Sequence, residues 1–276
     1  MGRLRTISLA AVLLAPAASG AAEPMLAQRG AYLVNAVMIC GRCHTAPGPA
    51  ARPYAGGRVV ETDAYKVQGS NITPDPATGI GAWTDEEVRR SVTQGIRPDG
   101  SRMAAAMPYE FYRILSAADL DAVLAYLRAL SPVANAVAAP RYTVPPERAA
   151  PVPGPPEAAR GTPADTIRRG WYIGTLARCL GCHSAPDARG EPDLAGGLGR
   201  GGMRFEGPWG VVVAPDITPA GLRDWSDENI RRALVEGVAP GDRKLAAPMQ
   251  SKAYAQLAPE DLAALIAWLR SLPETH

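Results

Sequence analysis

The chain has 276 residues, with 29 Lys and Arg against 27 Asp and Glu and a formal net charge of +2. Hydrophobic residues make up 47% and charged residues 20%, which excludes global disorder, and the near balance of basic and acidic residues excludes a basic nucleic-acid binder. The 28 Gly and 27 Pro imply many turns, and after the N-terminus no apolar run reaches the ~18 residues of a membrane-spanning helix.

Residues 1–22 read as a secretory signal peptide. Arg3 and Arg5 form a positive start, Ile7 to Ala18 is apolar and broken by Pro16, and small residues offer cleavage after Ala21 or Ala22. This places the protein in the periplasm, with no transmembrane helix in the mature chain. A first helix is expected from about Met25 to Cys40, ending on Cys40-Gly-Arg-Cys43-His44. Gly/Pro-rich chain follows. A second helix starts at Thr84, with Glu87 three residues later, and stops at Gly95. After Met103-Ala-Ala-Ala-Met107 comes a last helix, with Leu120, Val123, Leu124, Leu127 and Leu130 at helical spacing.

Ala136 to Arg160 carries Pro at 140, 145, 146, 151, 153, 155 and 156. Such a stretch cannot be helical and is expected to be a semi-rigid, extended connector. Beyond it the landmarks return in the same order. Arg29-Gly-Ala-Tyr-Leu matches Arg169-Gly-Trp-Tyr-Ile, and Cys40 to His44 matches Cys179-Leu-Gly-Cys182-His183. Asn71-Ile-Thr-Pro matches Asp216-Ile-Thr-Pro, Trp83-Thr-Asp-Glu matches Trp225-Ser-Asp-Glu, and Met107 matches Met249. Over 119–130 against 261–272, seven of twelve positions are identical. This is a tandem duplication: one domain over 23–135, a Pro-rich linker over 136–160 and a second domain over 161–276. The linker leads us to expect that each copy folds by itself. In the second copy Thr162 is the expected N-cap with Pro163 at the first helical position, a helix runs from Ser226 to Gly237, and Leu262, Leu265, Ile266, Leu269 and Leu272 face one way. One extra residue between Gly30 and Cys40, relative to the second copy, predicts a local bulge. Few strand signals appear.

All four Cys lie in the two Cys-x-x-Cys-His motifs, the attachment signal for c-type haem. Two thiols three residues apart reach two vinyl groups on one porphyrin edge, and the next residue sets its imidazole over the iron. A zinc site would need ligands from motifs far apart in the chain and would leave the paired His unexplained. A thioredoxin-like pair needs a strand before the motif, and disulfides inside each motif would close no long loop. Cys40, Cys43 and His44, with Cys179, Cys182 and His183, are therefore read as holding two covalent haem c groups. The third His is His276, so bis-His ligation of both irons is impossible from this chain. Repeat symmetry selects Met107 and Met249 as the sixth ligands. Met103 aligns with Leu245 and reads as ordinary core, and Met38 and Met203 have no Met partner.

These motifs resemble class I c-type cytochromes in a two-haem arrangement, and each copy is similar to the haem modules of cytochrome subunits of bacterial alcohol, gluconate and aldehyde dehydrogenases. The resemblance covers about 25–135 and 161–273. It rests on the Arg-Gly-x-Tyr-Leu opening, the Ile-Thr-Pro loop, the Trp-Thr/Ser-Asp-Glu turn and the Ala-Met-Pro loop, which has Gln250 in place of Pro in the second copy. It implies a mainly α fold of two tandem domains with long Gly/Pro-rich loops. It also implies that Asn71, Thr73, Trp83, Thr218 and Trp225 lie near the haem propionates. Pro47 and Pro186 are read as positioning the carbonyl contact of each His. Tyr32, Tyr126, Tyr172 and Trp268 read as helix-packing aromatics. The function expected is single-electron transfer from a periplasmic or membrane-associated dehydrogenase to a downstream cytochrome or terminal oxidase, with no substrate chemistry in the chain itself. A dihaem enzyme, of peroxidase or thiosulfate-oxidising type, is the alternative; the missing His and the missing fifth Cys weigh against it.

Overall fold

The computed structural model describes residues 19–156 and 163–273. Residues 1–18 of the signal reading, Thr162 and His276 lie outside them. The fold is mainly helical, and one series of elements runs twice along the chain. In the first half α1 (Ser19–Tyr32) continues through a π-helical turn (Leu33–Val37) to the short α2 (Gly41–His44). An antiparallel hairpin of β1 (Val59–Glu61) and β2 (Tyr65–Gln68) precedes α3 (Asp85–Gln94), α4 (Tyr109–Tyr112) and α5 (Ala117–Ala129). A short strand, β3 (Arg141–Tyr142), lies on the way to the second half. That half has α6 (Ala164–Leu176), α7 (Cys179–His183) and a hairpin of β4 (Arg204–Gly207) and β5 (Gly210–Val213). Next come α8 (Asp227–Val235), a ribbon of β6 (Val238–Ala239) and β7 (Arg243–Lys244), α9 (Ser251–Tyr254) and α10 (Pro259–Leu269).

The helix ends follow from local chemistry. Thr84 accepts a bond from the Glu87 N–H while the Glu87 carboxylate accepts from the Thr84 N–H, and Gly95 stops α3 at φ +65°. Ser226 and Asn229 make the same reciprocal pair at α8, with Gly237 at φ +69° just past its end. Pro163 stands at the N-cap of α6, one position earlier in the helix than expected. The expected bulge is the π-helical turn: the Met38 N–H reaches the Leu33 carbonyl at 2.7 Å, so the extra residue is absorbed before Cys40. The hairpins were not foreseen. Their strands are three or four residues long, and in β1 and β5 successive Val, with Val59, Val211 and Val213 exposed, leave one strand of each hairpin without polar–apolar alternation.

Within each half the first and last helices cross at a glycine. A Cβ on Gly30 would stand 1.9 Å from the Ala122 carbonyl oxygen, and one on Gly170 would stand 1.9 Å from that of Ala264. The Arg-Gly pair that opens each copy is thus a packing requirement. The same helix pairs supply much of the core, including Val34, Val37, Leu124 and Leu127, then Ile173, Leu176, Leu265 and Trp268.

The halves pack against each other. Their buried side chains form one apolar cluster, and they exchange polar contacts. Asp119 pairs with Arg29 of its own half at 2.8 Å and accepts from Tyr172 of the other at 2.7 Å. Asp261 pairs with Arg169 of its own half and accepts from Tyr32 of the other, at 2.5 and 2.6 Å. Tyr32 and Tyr172 therefore do more than pack. The linker is extended but docked: β3 pairs with β2, the Ala149 N–H donates to the Tyr109 hydroxyl and Trp171 Nε1 donates to the Pro153 carbonyl.

Helix propensity alone would make Gly30→Ala and Gly170→Ala slightly stabilising, by up to ~1 kcal/mol. The overlap with a carbonyl reverses the sign. Each is expected to cost about 3 kcal/mol and to lower the melting temperature by several degrees, which calorimetry of the single variants checks. Unchanged or raised melting would mean that these glycines do not set the crossing.

Candidate cofactor site

Ile39 and Arg178, the residues before Cys40 and Cys179, both adopt left-handed backbone, with φ of 53° and 59°. This sharp bend after the long helix puts two thiols and an imidazole on one short turn, α2 in the first half and α7 in the second. A single cavity of about 820 Å³ runs through both halves. Its walls include Cys40, Cys43, His44 and Met107, and Cys179, Cys182, His183 and Met249. All eight residues singled out from sequence are thus brought to one continuous space. All four thiols are free, and among the described residues no cluster of His, Cys, Asp and Glu could hold a metal ion such as zinc.

Each imidazole is held by a backbone carbonyl. His44 Nδ1 lies 2.7 Å from the Ser70 carbonyl oxygen, and His183 Nδ1 lies 2.8 Å from that of Pro215. A carbonyl only accepts, so Nδ1 carries the proton and Nε2 keeps its lone pair free to bind iron. Burial holds the pKa of both His below the usual value, against the opposing pull of the carbonyl. The neutral, ligating form is favoured. Burial also pushes the Cys40 and Cys179 thiols up to about 12. The carbonyls come from the residues just before the Asn71 and Asp216 loops. Pro47 and Pro186 do not provide them.

Those loops are braced by their own side chains. Asn71 is buried; its Nδ2 donates to the Val133 carbonyl at 2.7 Å, and its Oδ1 accepts from the N–H and hydroxyl of Thr73. Asp216 Oδ1 accepts the same two bonds from Thr218, both at 2.7 Å. Asn71, Thr73 and Thr218 therefore shape the carbonyl-bearing loop and do not line the cavity, whereas Trp83 and Trp225 do line it. Arg128 holds the Trp83 loop through the carbonyls of Ile80 and Trp83 at 2.7 and 2.6 Å. Arg270 does the same through Leu222, at 2.8 Å, and Trp225. These two arginines went unnoticed in the sequence, although each holds the same place in the repeated last helix.

Met107 and Met249 sit on matching turns, their N–H groups donating to Ala104 and Ala246 at 3.0 and 3.1 Å. Met103 and Leu245 also line the cavity, which replaces their reading as ordinary core. Gln250, which stands where the first half has Pro108, donates from Nε2 to the Pro248 carbonyl at 2.8 Å and so ties its own loop. Tyr112 and Tyr254 brace the chain ahead of each motif, donating to the carbonyls of Met38 at 3.3 Å and Ala177 at 3.2 Å. A mostly apolar space with two thiols, one Nε2 and one thioether in each half fits a haem c: two attachment points, a His ligand and a Met ligand.

Replacing Arg270 by Met removes its bonds to two carbonyls and to Asp227 while keeping the side-chain bulk. A loss of about 2 kcal/mol is expected, read as a lower urea midpoint, with a similar loss for Arg128→Met. A loss near zero in both would show that the Trp loops hold without the arginines.

The family model "Cytochrome c" matches residues 173–273. A "Diheme cytochrome c-type" protein of Cereibacter sphaeroides is 30% identical over 253 residues, covering 85% of this chain and 82% of that protein. The "Alcohol dehydrogenase (quinone), cytochrome c subunit" of Gluconacetobacter polyoxogenes is 30% identical over 278 residues, 91% of this chain and 57% of the relative. The "Fructose dehydrogenase cytochrome subunit" of Gluconobacter japonicus is 30% identical over 276 residues, 94% of this chain and 54% of the relative. The chain thus spans a little over half the length of these two dehydrogenase subunits.

Proposed function

The chain belongs to the cytochrome c family, and on that premise we propose that it is a dihaem electron carrier, a cytochrome partner or subunit of a dehydrogenase in the periplasm. The observation that carries this reading is the joined cavity lined by two equivalent sets of two thiols, one imidazole and one Met. When bound, each haem supplies a one-electron iron couple. Cys40 and Cys43, and Cys179 and Cys182, would hold it through thioether links. His44 and His183 would offer Nε2 to iron, each held in orientation by the carbonyl on Nδ1. Met107 and Met249 would offer a thioether from their matched turns. With an imidazole and a thioether on each iron, no position would be left for a substrate, and the thioether would raise the potential.

The repeated element order supports two tandem domains, over 23–135 and 161–276, joined by 136–160. Residues 1–22 would direct export. The donor is read as a periplasmic or membrane-associated dehydrogenase, because relatives of this chain are named as cytochrome subunits of alcohol and fructose dehydrogenases. The acceptor is read as a second cytochrome or a terminal oxidase. Among the described residues no helix is long and apolar enough to cross a membrane.

Purified protein should carry two haems that stay with the chain through acid–acetone extraction, seen as added mass. Zinc, or haem that extracts, would end this reading.

The oxidised protein should show the weak near-infrared band of Met bound to iron. Met107→Ala and Met249→Ala should each remove one of its two contributions and lower one potential, while Met103→Leu should leave the band in place. Carbon monoxide and peroxide should react slowly with the reduced wild type. Rapid peroxide turnover, with one haem high-spin at rest, would instead favour a dihaem enzyme.

A further inference from the structure

We propose that Arg178 is a cation shared by the two redox sites, placed on the cavity that both Cys-x-x-Cys-His motifs line and raising the potential of both. The proposal rests on the haem reading above and assigns this chain's own residue a role toward both groups. Each motif meets the opposite half, as two contacts show. A Cβ on Gly181, inside the second motif, would stand 3.1 Å from the ring of Phe111 on α4 of the first half. Arg42, inside the first motif, donates to the carbonyl of Pro248 at 3.3 Å, next to Met249 of the second half.

Arg178 opens α7 and lines the shared cavity. Against the opposing effect of burial, groups of both halves act on its charge, Tyr112 most, then Cys182, Cys43 and Tyr254. Its counterpart in the first half is Ile39, which has the same left-handed backbone but no charge. At this backbone position the two halves therefore supply one cation, and the other junction cation, Arg42, is tied to the Pro248 carbonyl. Among the described residues its guanidinium has neither an ion-pair partner nor a hydrogen bond. A carboxyl that feels its field is Glu110, half-buried with Oε2 lacking a partner and pushed up to about 7 by burial. A carboxyl so raised offsets the guanidinium less than a fully ionised one would.

The consequence follows from Coulomb's law. Adding an electron lowers the positive charge at an iron site. A fixed cation nearby, poorly screened inside an apolar cavity, stabilises the reduced form relative to the oxidised one. Because the cation lies on the cavity that both sites line, the effect has the same sign at both. An Arg paired with a carboxylate would have little net effect at either.

The test is an optical redox titration of the full-length, haem-loaded protein as wild type, Arg178→Lys, Arg178→Gln and Arg178→Leu. Haem content and the Met–iron band are recorded for each. Gln and Leu should each lower the reduction equilibrium constant at both sites by about tenfold, or 59 mV for a one-electron couple, with Lys close to wild type and the Met–iron band intact throughout. The Gln variant keeps hydrogen-bonding capacity, so it reports on charge even where Leu disturbs folding. The proposal is overturned if one potential moves and the other stays, if neither moves, or if Lys behaves like Gln. A wild type carrying other than two covalent haems overturns the haem reading itself, a separate failure detected before any titration.

Discussion

A carboxylate at the start of each last helix ties the molecule together. Asp261 is 2% exposed, and a charge so placed costs several kcal/mol to strip of water unless it is fully paired. It is paired from two sides. Arg169 comes from the first helix of the same half, and Tyr32 from the first helix of the other. The Tyr32 hydroxyl also accepts from the N–H of Ala258, the N-cap of α10. Asp119, Arg29, Tyr172 and Ser116 repeat the arrangement at α5. One ion thus fixes a helix crossing, a helix start and the seam between the halves. Loss of either Arg would strand a charge that belongs to two parts of the fold.

The cavity depends on that frame. α1 and α6 deliver the Cys-x-x-Cys-His turns from their C-terminal ends. α5 carries Arg128, and Arg270 follows directly as the C-cap of α10; they hold the Trp83 and Trp225 loops. The glycine crossings set how closely these helices approach, and hence where the thiols stand relative to the loops bearing Met107 and Met249. The imidazoles are aimed from a third direction, by carbonyls on loops braced through Asn71 and Asp216. In each half the groups that would meet a haem arrive from separate stretches of chain, and each stretch has its own polar anchor.

Much of this was legible in the sequence, for identifiable reasons. Duplication made landmarks visible that one copy would have hidden. The capped starts at Thr84 and Ser226 obey short-range chemistry that needs no tertiary knowledge. The extra residue before Cys40 could be counted, and it emerged as the π-helical turn. What escaped was of two kinds. The partners of His44 and His183 are main-chain carbonyls, and a carbonyl carries no residue signature, so the sequence could not say which residues supply them. The exchange of Tyr32 and Tyr172 lies in the relation between the halves. Both residues sit in a motif whose Gly and Tyr read as ordinary packing until the opposite helix is in view. The docking of the linker was not legible, because proline content speaks for extension and says nothing of contacts, and β3 is extended and docked at once.

The reciprocity at the seam has a further consequence. A contact in which Tyr32 meets Asp261 while Tyr172 meets Asp119 is isologous, the form a self-complementary surface takes in a twofold dimer. In such a surface one substitution in a single-copy chain acts at two places at once. Within one polypeptide the two places are free to differ, and Arg178, where the other half has Ile39, is a difference of that kind. An asymmetry that no symmetric dimer could hold thus sits beside the seam while the scaffold around it stays paired.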